Sequence, residues 1–167
     1  MDANVEAAMN RHINRELFSS YLYLSMAAWC EAEGLRGFSH WMRLQSVEEN
    51  VHVMKFFDFV LDRGGRVEFL ELAAPQREWE SPLDVFKAAL EHEREVSGYI
   101  NELMDAVIDA RDHAANVFLQ WFVQEQVEEE ASVADIVSRL ELVGEDGRGI
   151  LLIDQELAAR TDTGEAA

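Results

Sequence analysis

An all-α architecture is predicted for this 167-residue chain: a four-helix bundle with one long crossover between helices two and three, plus a short fifth C-terminal helix. Three observations predict it. Four long stretches repeat apolar residues at steps of three or four, the period of one helical face. Only two prolines and nine glycines interrupt a chain that is 49% hydrophobic, a composition that suits a helical globule and not a disordered segment. A single aperiodic stretch, Gly65 to Glu80, divides the long stretches two and two.

The first helix is expected from about Asn4 to Glu33, stopping at Gly34, with Met9, Ile13, Glu16, Ser20, Tyr23, Ala27 and Cys30 on one face. The second runs from about Gly37 to Arg63, stops at Gly64-Gly65, and aligns Met42, Gln45, Glu49, His52, Phe56 and Phe59. At 1.5 Å per residue such helices reach ~40 Å. The stretch Gly65 to Glu80 exceeds most loops and is about long enough to cross the bundle, so helices two and three should run parallel. The short links at Gly34 to Gly37 and around Asp112 imply antiparallel neighbours. The third helix begins at Ser81-Pro82, a cap followed by proline, and continues to about Arg111 with Phe86, Leu90, Glu93, Ser97, Ile100, Met104 and Val107 aligned. The fourth, capped by Asp112, runs to Gly144 with Phe122, Gln126, Glu129, Val133, Ile136, Leu140 and Val143 aligned. A fifth, capped by Asp146, covers about Gly147 to Arg160. One domain over residues 1–160 and a flexible tail over 161–167 are expected.

Helix two carries a second apolar line, Leu44, Val47, Val51, Met54 and Leu61, and a helix apolar on two faces needs two partners. The crossover reads as too polar to cover that line. The fifth helix, with Ile150, Leu151, Ile153 and Leu157, also needs a surface. A homo-oligomer is therefore expected. The formal net charge of −19 argues against nucleic acid or an anionic membrane as partner and favours cations. The longest nearly unbroken apolar run, Tyr21 to Cys30, is too short to span a bilayer, and the N-terminus shows no signal segment, so a cytoplasmic location is expected. Cys30 is alone and reads as a buried small hydrophobe.

Each long face carries a glutamate near its middle: Glu16, Glu49, Glu93 and Glu129. A carboxylate turned into a bundle core is costly unless it neutralises, pairs or binds metal. Four of them on four helices would repel one another strongly, and a pair of metal ions is the natural compensator. Glu49 and His52, three residues apart, are neighbours on one face. A lone Glu-x-x-His is a weak signal; with three facing glutamates it becomes strong. Mixed carboxylate and imidazole donors suit iron or manganese, and two ions bridged by Glu49 make better charge sense than one. Tyr23, seven residues beyond Glu16, is placed to give an electron or a hydrogen bond, and Gln126 faces the stripe toward a metal or its oxygen ligand. Trp121 is expected to pack nearby.

On helix four, spacings of three and four cluster Glu125, Glu128 and Glu129, and Glu48 joins them if helices two and four are neighbours. This reads as a third, weaker cation site. Glu130 reads as a solvated acid. His12, His40, His92 and His113 read as surface or packing histidines, and the six methionines as core and interface filler.

The chain resembles the ferritin family, specifically the non-haem bacterial and archaeal ferritins. The likeness rests on Asn14-Arg15-Glu16-Leu17-Phe18-Ser19-Ser20-Tyr21-Leu22-Tyr23, Glu48-Glu49-Asn50-Val51-His52, His92-Glu93, and Phe118-Leu119-Gln120-Trp121-Phe122 continuing to Glu125-Gln126-Val127-Glu128-Glu129, and it covers almost the whole chain. The resemblance implies a ferroxidase. One iron would be bound by Glu16, Glu49 and His52, a second by Glu49, Glu93 and Glu129, and an additional one by Glu48, Glu125, Glu128 and Glu129. It further implies that oxygen or peroxide oxidises Fe(II), and that the ferric product is stored as mineral in a shell of about 24 subunits, with the fifth helix at the four-fold axes.

Some positions depart from related patterns. Bacterioferritins carry a second Glu-x-x-His on helix four, where this chain has Gln126 and Glu129, and a haem-binding methionine where it has Asn50. No haem is expected. The three-fold-channel acids of animal ferritins fall near Asn116 and Leu119, and the helix-two acids of light-chain-like subunits are replaced by Leu44, Val47 and Val51. Other readings are a rubrerythrin-like di-iron peroxidase, weakened by the absence of a Cys-x-x-Cys pair, a DNA-protecting miniferritin, and a non-catalytic helical interaction protein.

Overall fold

The structure, a computed structural model, describes residues 1–161; of the expected flexible tail, residues 162–167 lie outside the described residues. Five helices follow in order: α1 (Ala3–Ala32), α2 (Arg36–Asp62), α3 (Pro82–Asp109), α4 (His113–Val143) and α5 (Gly147–Leu157). The described residues contain no strand. The termini follow from local chemistry. Asp2 accepts from the amides of Asn4 and Val5 and starts α1 one residue before the expected Asn4. Gly34, at φ +80°, closes α1 in the left-handed conformation, and the Leu35 amide donates to the Cys30 carbonyl at 2.9 Å. Arg111, expected at the end of the third helix, lies beyond α3 and takes the left-handed conformation at φ 53°. Ser81 and Asp112 cap α3 and α4 as expected. The fifth helix ends at Leu157, short of the expected Arg160, because Arg160 folds back onto α2.

Side-chain partners give the register. Tyr23 meets Trp41, Ser20 meets Ser46 and His12 meets Phe56, so α1 and α2 are antiparallel. Arg15 lies over Tyr99 while Ser19 meets His92, so α1 and α3 are antiparallel too. Helices α2 and α3 therefore run parallel, as the crossover length predicts. That crossover is tied along α1 by two buried asparagines one helical turn apart. Asn10 donates to the Arg66 carbonyl and accepts from the Glu68 amide; Asn14 donates to the Glu68 carbonyl and accepts from the Leu70 amide. It is less polar than expected in effect, since Phe69 stacks on Phe57 of α2. The second apolar line of α2 nevertheless remains open on the subunit, with Val47, Met54 and Leu61 each close to half exposed.

Helices α2 and α4 do not approach backbone to backbone; α1 joins α2 and α3, and α3 joins α4. Only side chains span the α2–α4 gap, including the aromatic set Phe56, Phe118 and Phe122. The core is divided in two. One apolar cluster holds Met26, Phe38, Trp41, Phe86 and Val133; the other holds Met9, Ile13, Phe56, Ile100 and Phe122. The four stripe glutamates are buried and belong to neither. Helix α5 packs on α2 and α4. A Cβ on Gly37 would stand 1.6 Å from the Asp154 carbonyl oxygen, so glycine is what admits α5 to α2, where Asp154 Oδ1 accepts the Phe38 amide at 2.9 Å.

Candidate metal centre

Helices α1 and α2 bring Glu16, Glu49 and His52 together: one donor atom from each lies within 4.8 Å of the others, and all three residues are buried. His52 Nδ1 stands 3.3 Å from Glu49 Oε2 and 3.8 Å from Glu16 Oε2. Both oxygens of Glu16, and Oε2 of Glu49, lack an aligned hydrogen-bond donor. Buried carboxylate oxygens are rarely left in that state, and three of them converging beside an imidazole fit a cation. The ring of His52 is fixed by edge contacts with Trp121 at 5.5 Å and Phe122 at 5.7 Å. Trp121 thus packs where expected.

His12 is a packing histidine, one of the two roles the sequence allows: it is fully buried against Phe56, and its Nε2 also lies 2.6 Å from Glu16 Oε1. It lies one turn before Glu16, and that i, i+4 spacing was the signal available in the sequence. Of the other histidines, His92 is buried and bonded to Ser19, His40 meets the Arg160 carbonyl, and His113 is exposed.

Helices α3 and α4 contribute the other two acids, and these are already held. The Tyr23 hydroxyl donates to Glu93 Oε1. Gln126 Nε2 donates to Glu93 Oε2 at 3.2 Å and to the Glu93 carbonyl at 3.1 Å. Gln45 Nε2 donates to Glu129 Oε2 at 2.7 Å. So Gln126 contacts a carboxylate, and Gln45, which carried no role in the sequence reading, orients a second one. Neither Glu93 nor Glu129 joins the tight group of three.

The four acids nonetheless feel one another. Burial, then the Glu16 charge, pushes Glu49 well above the carboxylate range. Burial opposes the Glu16 charge as well, but His12 and His52 outweigh it and hold that carboxyl low. Burial would lower His52, yet its bonds to Glu16 and Glu49 raise it. Glu93 is pushed up to about 6 by burial, against the opposing bonds from Tyr23 and Gln126. Glu129 is pushed up to about 8 by burial and by the charges of Glu93 and Glu48. Burial and mutual repulsion thus favour the protonated forms of Glu49 and Glu129, a preference that a bound cation opposes.

The third group is looser. Glu48 and Glu125 are half-buried and Glu128 is exposed; with Glu129 they do not reach a common ligating distance. Glu48 is bound by Arg160, whose Nη2 lies 2.7 Å from Oε2. Glu130 is not simply solvated: it is half-buried and accepts from Ser97 Oγ at 2.5 Å. Asn50 donates to Ser20 Oγ at 2.6 Å. Burial pushes the Cys30 thiol up to about 12, as suits a small hydrophobe.

Comparison with known proteins agrees with this geometry. The Ferritin-like domain family matches residues 6–143. A bacterial non-heme ferritin of Bacteroides fragilis is 40% identical over 156 residues, covering 93% of this chain and 97% of the relative. A probable bacterial non-heme ferritin-like protein of Haemophilus influenzae is 36% identical over 157 residues, 94% of this chain and 95% of its own. Among solved structures, an open pore ferritin from Archaeoglobus fulgidus superposes with a TM-score of 0.95 at 50% identity, covering 96% of this chain and 99% of that one. An engineered closed form of the Archaeoglobus fulgidus ferritin gives a TM-score of 0.96 at 49% identity, over 98% of this chain and 99% of that one. With four stripe carboxylates between two apolar clusters, the Glu-x-x-His pair on α2 and relatives matching over nearly its full length, the chain belongs to the ferritin family.

Proposed function

We propose that this chain is an iron-storage ferritin with ferroxidase activity, working as a homo-oligomeric shell of about 24 subunits in the cytoplasm. The observation that carries the reading is the convergence of Glu16, Glu49 and His52, with three carboxylate oxygens that lack an aligned hydrogen-bond donor, between the two apolar clusters. Fe(II) is the substrate. The first ion takes Glu16, Glu49 and His52; the second takes Glu49, Glu93 and Glu129; each gives one electron to oxygen or peroxide. Glu49 and Glu129 release their protons as the ions enter, since ligating carboxylates must be ionised. Tyr23 and Gln126 orient Glu93, Gln45 orients Glu129, and His12 backs Glu16. Trp121 and Phe122 keep water from the His52 ring. Glu48, Glu125, Glu128 and Glu129 form the weaker third site, through which ferric product leaves for the mineral. The half-exposed line on α2 supports burial between subunits. No helix among the described residues is long and apolar enough to cross a membrane.

The test is aerobic loading of the purified native particle with Fe(II), followed by light scattering and iron analysis. A large particle retaining far more iron than two ions per subunit is expected. A small oligomer that oxidises peroxide-dependently and retains no mineral would instead favour the rubrerythrin-like reading.

A further inference from the structure

Arg160 follows α5 in a short turn, with the Arg160 amide donating to the Leu157 carbonyl at 3.2 Å. The docking of α5 at Gly37 sets where this turn lies. His40 Nε2 pairs with the Arg160 carbonyl at 2.8 Å, and the guanidinium carbon stands 5.0 Å over the Trp41 ring. From that seat the side chain reaches two residues of α2. Nη2 donates to both oxygens of Glu48, at 3.0 and 2.7 Å, and Nη1 donates to Gln45 Oε1 at 2.5 Å. A guanidinium has only donors, so Gln45 must offer it the oxygen and therefore turns its NH2 the other way. That NH2 is the group that donates to Glu129 Oε2 at 2.7 Å. One cation from the C-terminal turn thus holds Glu48 directly and Glu129 at one remove.

We propose that Arg160 is a positioning residue that stands in the place of a metal cation at Glu48 and, through the orientation of Gln45, holds Glu129 toward the di-metal chamber, so that metal reaching Glu48 must displace it. The inference rests on the ferroxidase reading above, because it links the two groups that Glu129 is assigned to serve. Displacement of the guanidinium removes the reason for Gln45 to point its NH2 at Glu129, and frees Glu129 to turn toward Glu48. Occupation of the outer group and loosening of the inner one become a single event. Arg160→Lys keeps a positive charge but loses the fork that engages Glu48 and Gln45 together.

The experiment uses the assembled full-length protein under anaerobic conditions, with Co(II) as a redox-inert probe of the Fe(II) sites. Calorimetric titration gives the number and affinity of bound ions, and hydrogen exchange follows the amides of residues 158–161. In Arg160→Gln the third equivalent should bind at least about tenfold more tightly than in the parent, with the first two still present. Arg160→Lys should fall between the two. In the parent, addition of the third equivalent should speed exchange at 158–161, and in Arg160→Gln exchange there should no longer respond to metal. A third equivalent that is unchanged, weaker or absent in Arg160→Gln overturns the proposal. So does a lowered melting temperature with unaltered affinity, which would make Arg160 a structural tie. A Glu49→Ala control separates the two readings: if it leaves the first two equivalents intact, the ferroxidase assignment fails whatever Arg160 does.

Discussion

Glu16, Glu49 and His52, on α1 and α2, face one another with three carboxylate oxygens lacking an aligned donor. Glu93 and Glu129, on α3 and α4, each rest on neutral donors: Tyr23 and Gln126 on the first, Gln45 on the second. All four acids are buried glutamates, so residue type and burial do not separate the halves. The surrounding shell does. Oxygens with no aligned donor, beside only His12 and His52, suit the first half to a metal cation, whereas donated oxygens let the second half persist without one. The first half should therefore bind metal more tightly, and the second should be easier to rearrange.

The comparison breaks outright if the residue common to both halves proves dispensable. Glu49→Ala should slow the initial oxidation of Fe(II) by more than the roughly 100-fold that losing an outer-shell partner can cost. Stopped-flow absorbance on mixing with oxygen checks this, and a variant as fast as the parent would refute the assignment. Next in size, His52→Ala should weaken the tighter Co(II) equivalent by about tenfold or more while sparing the other. Equal weakening of both would mean that the halves are not distinct. Tyr23→Phe reaches the second half alone, removing one donor from Glu93. We expect a change of a few fold in the weaker equivalent and none in the tighter one, again read by calorimetry.

A pH experiment sharpens the same contrast without mutation. Glu129 rises from 4.5 to about 8 in the fold, and Glu93 to about 6. The metal-free folded state therefore holds protons that the unfolded chain releases, and their stabilisation is complete below about 4.5 and lost as pH rises through 8. The metal-free protein should melt roughly 3 °C or more lower at pH 8.5 than at pH 6, and saturating Co(II) should abolish that difference by taking the place of the protons. A melting temperature that climbs with pH in the metal-free protein would contradict the raised values. The smallest effect concerns helicity. Removal of metal should leave the circular dichroism at neutral pH nearly unchanged, because Phe38, Phe86 and Phe56 fill both apolar clusters without reference to the centre.

The length of the crossover gave the parallel relation of α2 and α3, and periodicity located the four long helices and the four buried acids with His52. These are properties of one face at a time: a glutamate at step three or four among apolar residues must turn inward with them. Local cap chemistry likewise marked Gly34, Ser81 and Asp112 in the sequence. The end of α5 and the left-handed Arg111 were not legible, since the first depends on Arg160 reaching α2 and the second on a conformation that sequence assigns by default to glycine. What the tertiary structure decided is which donors meet which acids. His12 sits at a visible i, i+4 spacing from Glu16, yet only packing against Phe56 shows that it is buried there. Gln45 and Arg160 are 115 positions apart, and the link from one to Glu129 and from the other to Glu48 exists only because α5 docks at Gly37. A helical period fixes the direction a side chain takes from its own axis. The partner it finds across a gap depends on how other helices are placed, and no local pattern carries that information.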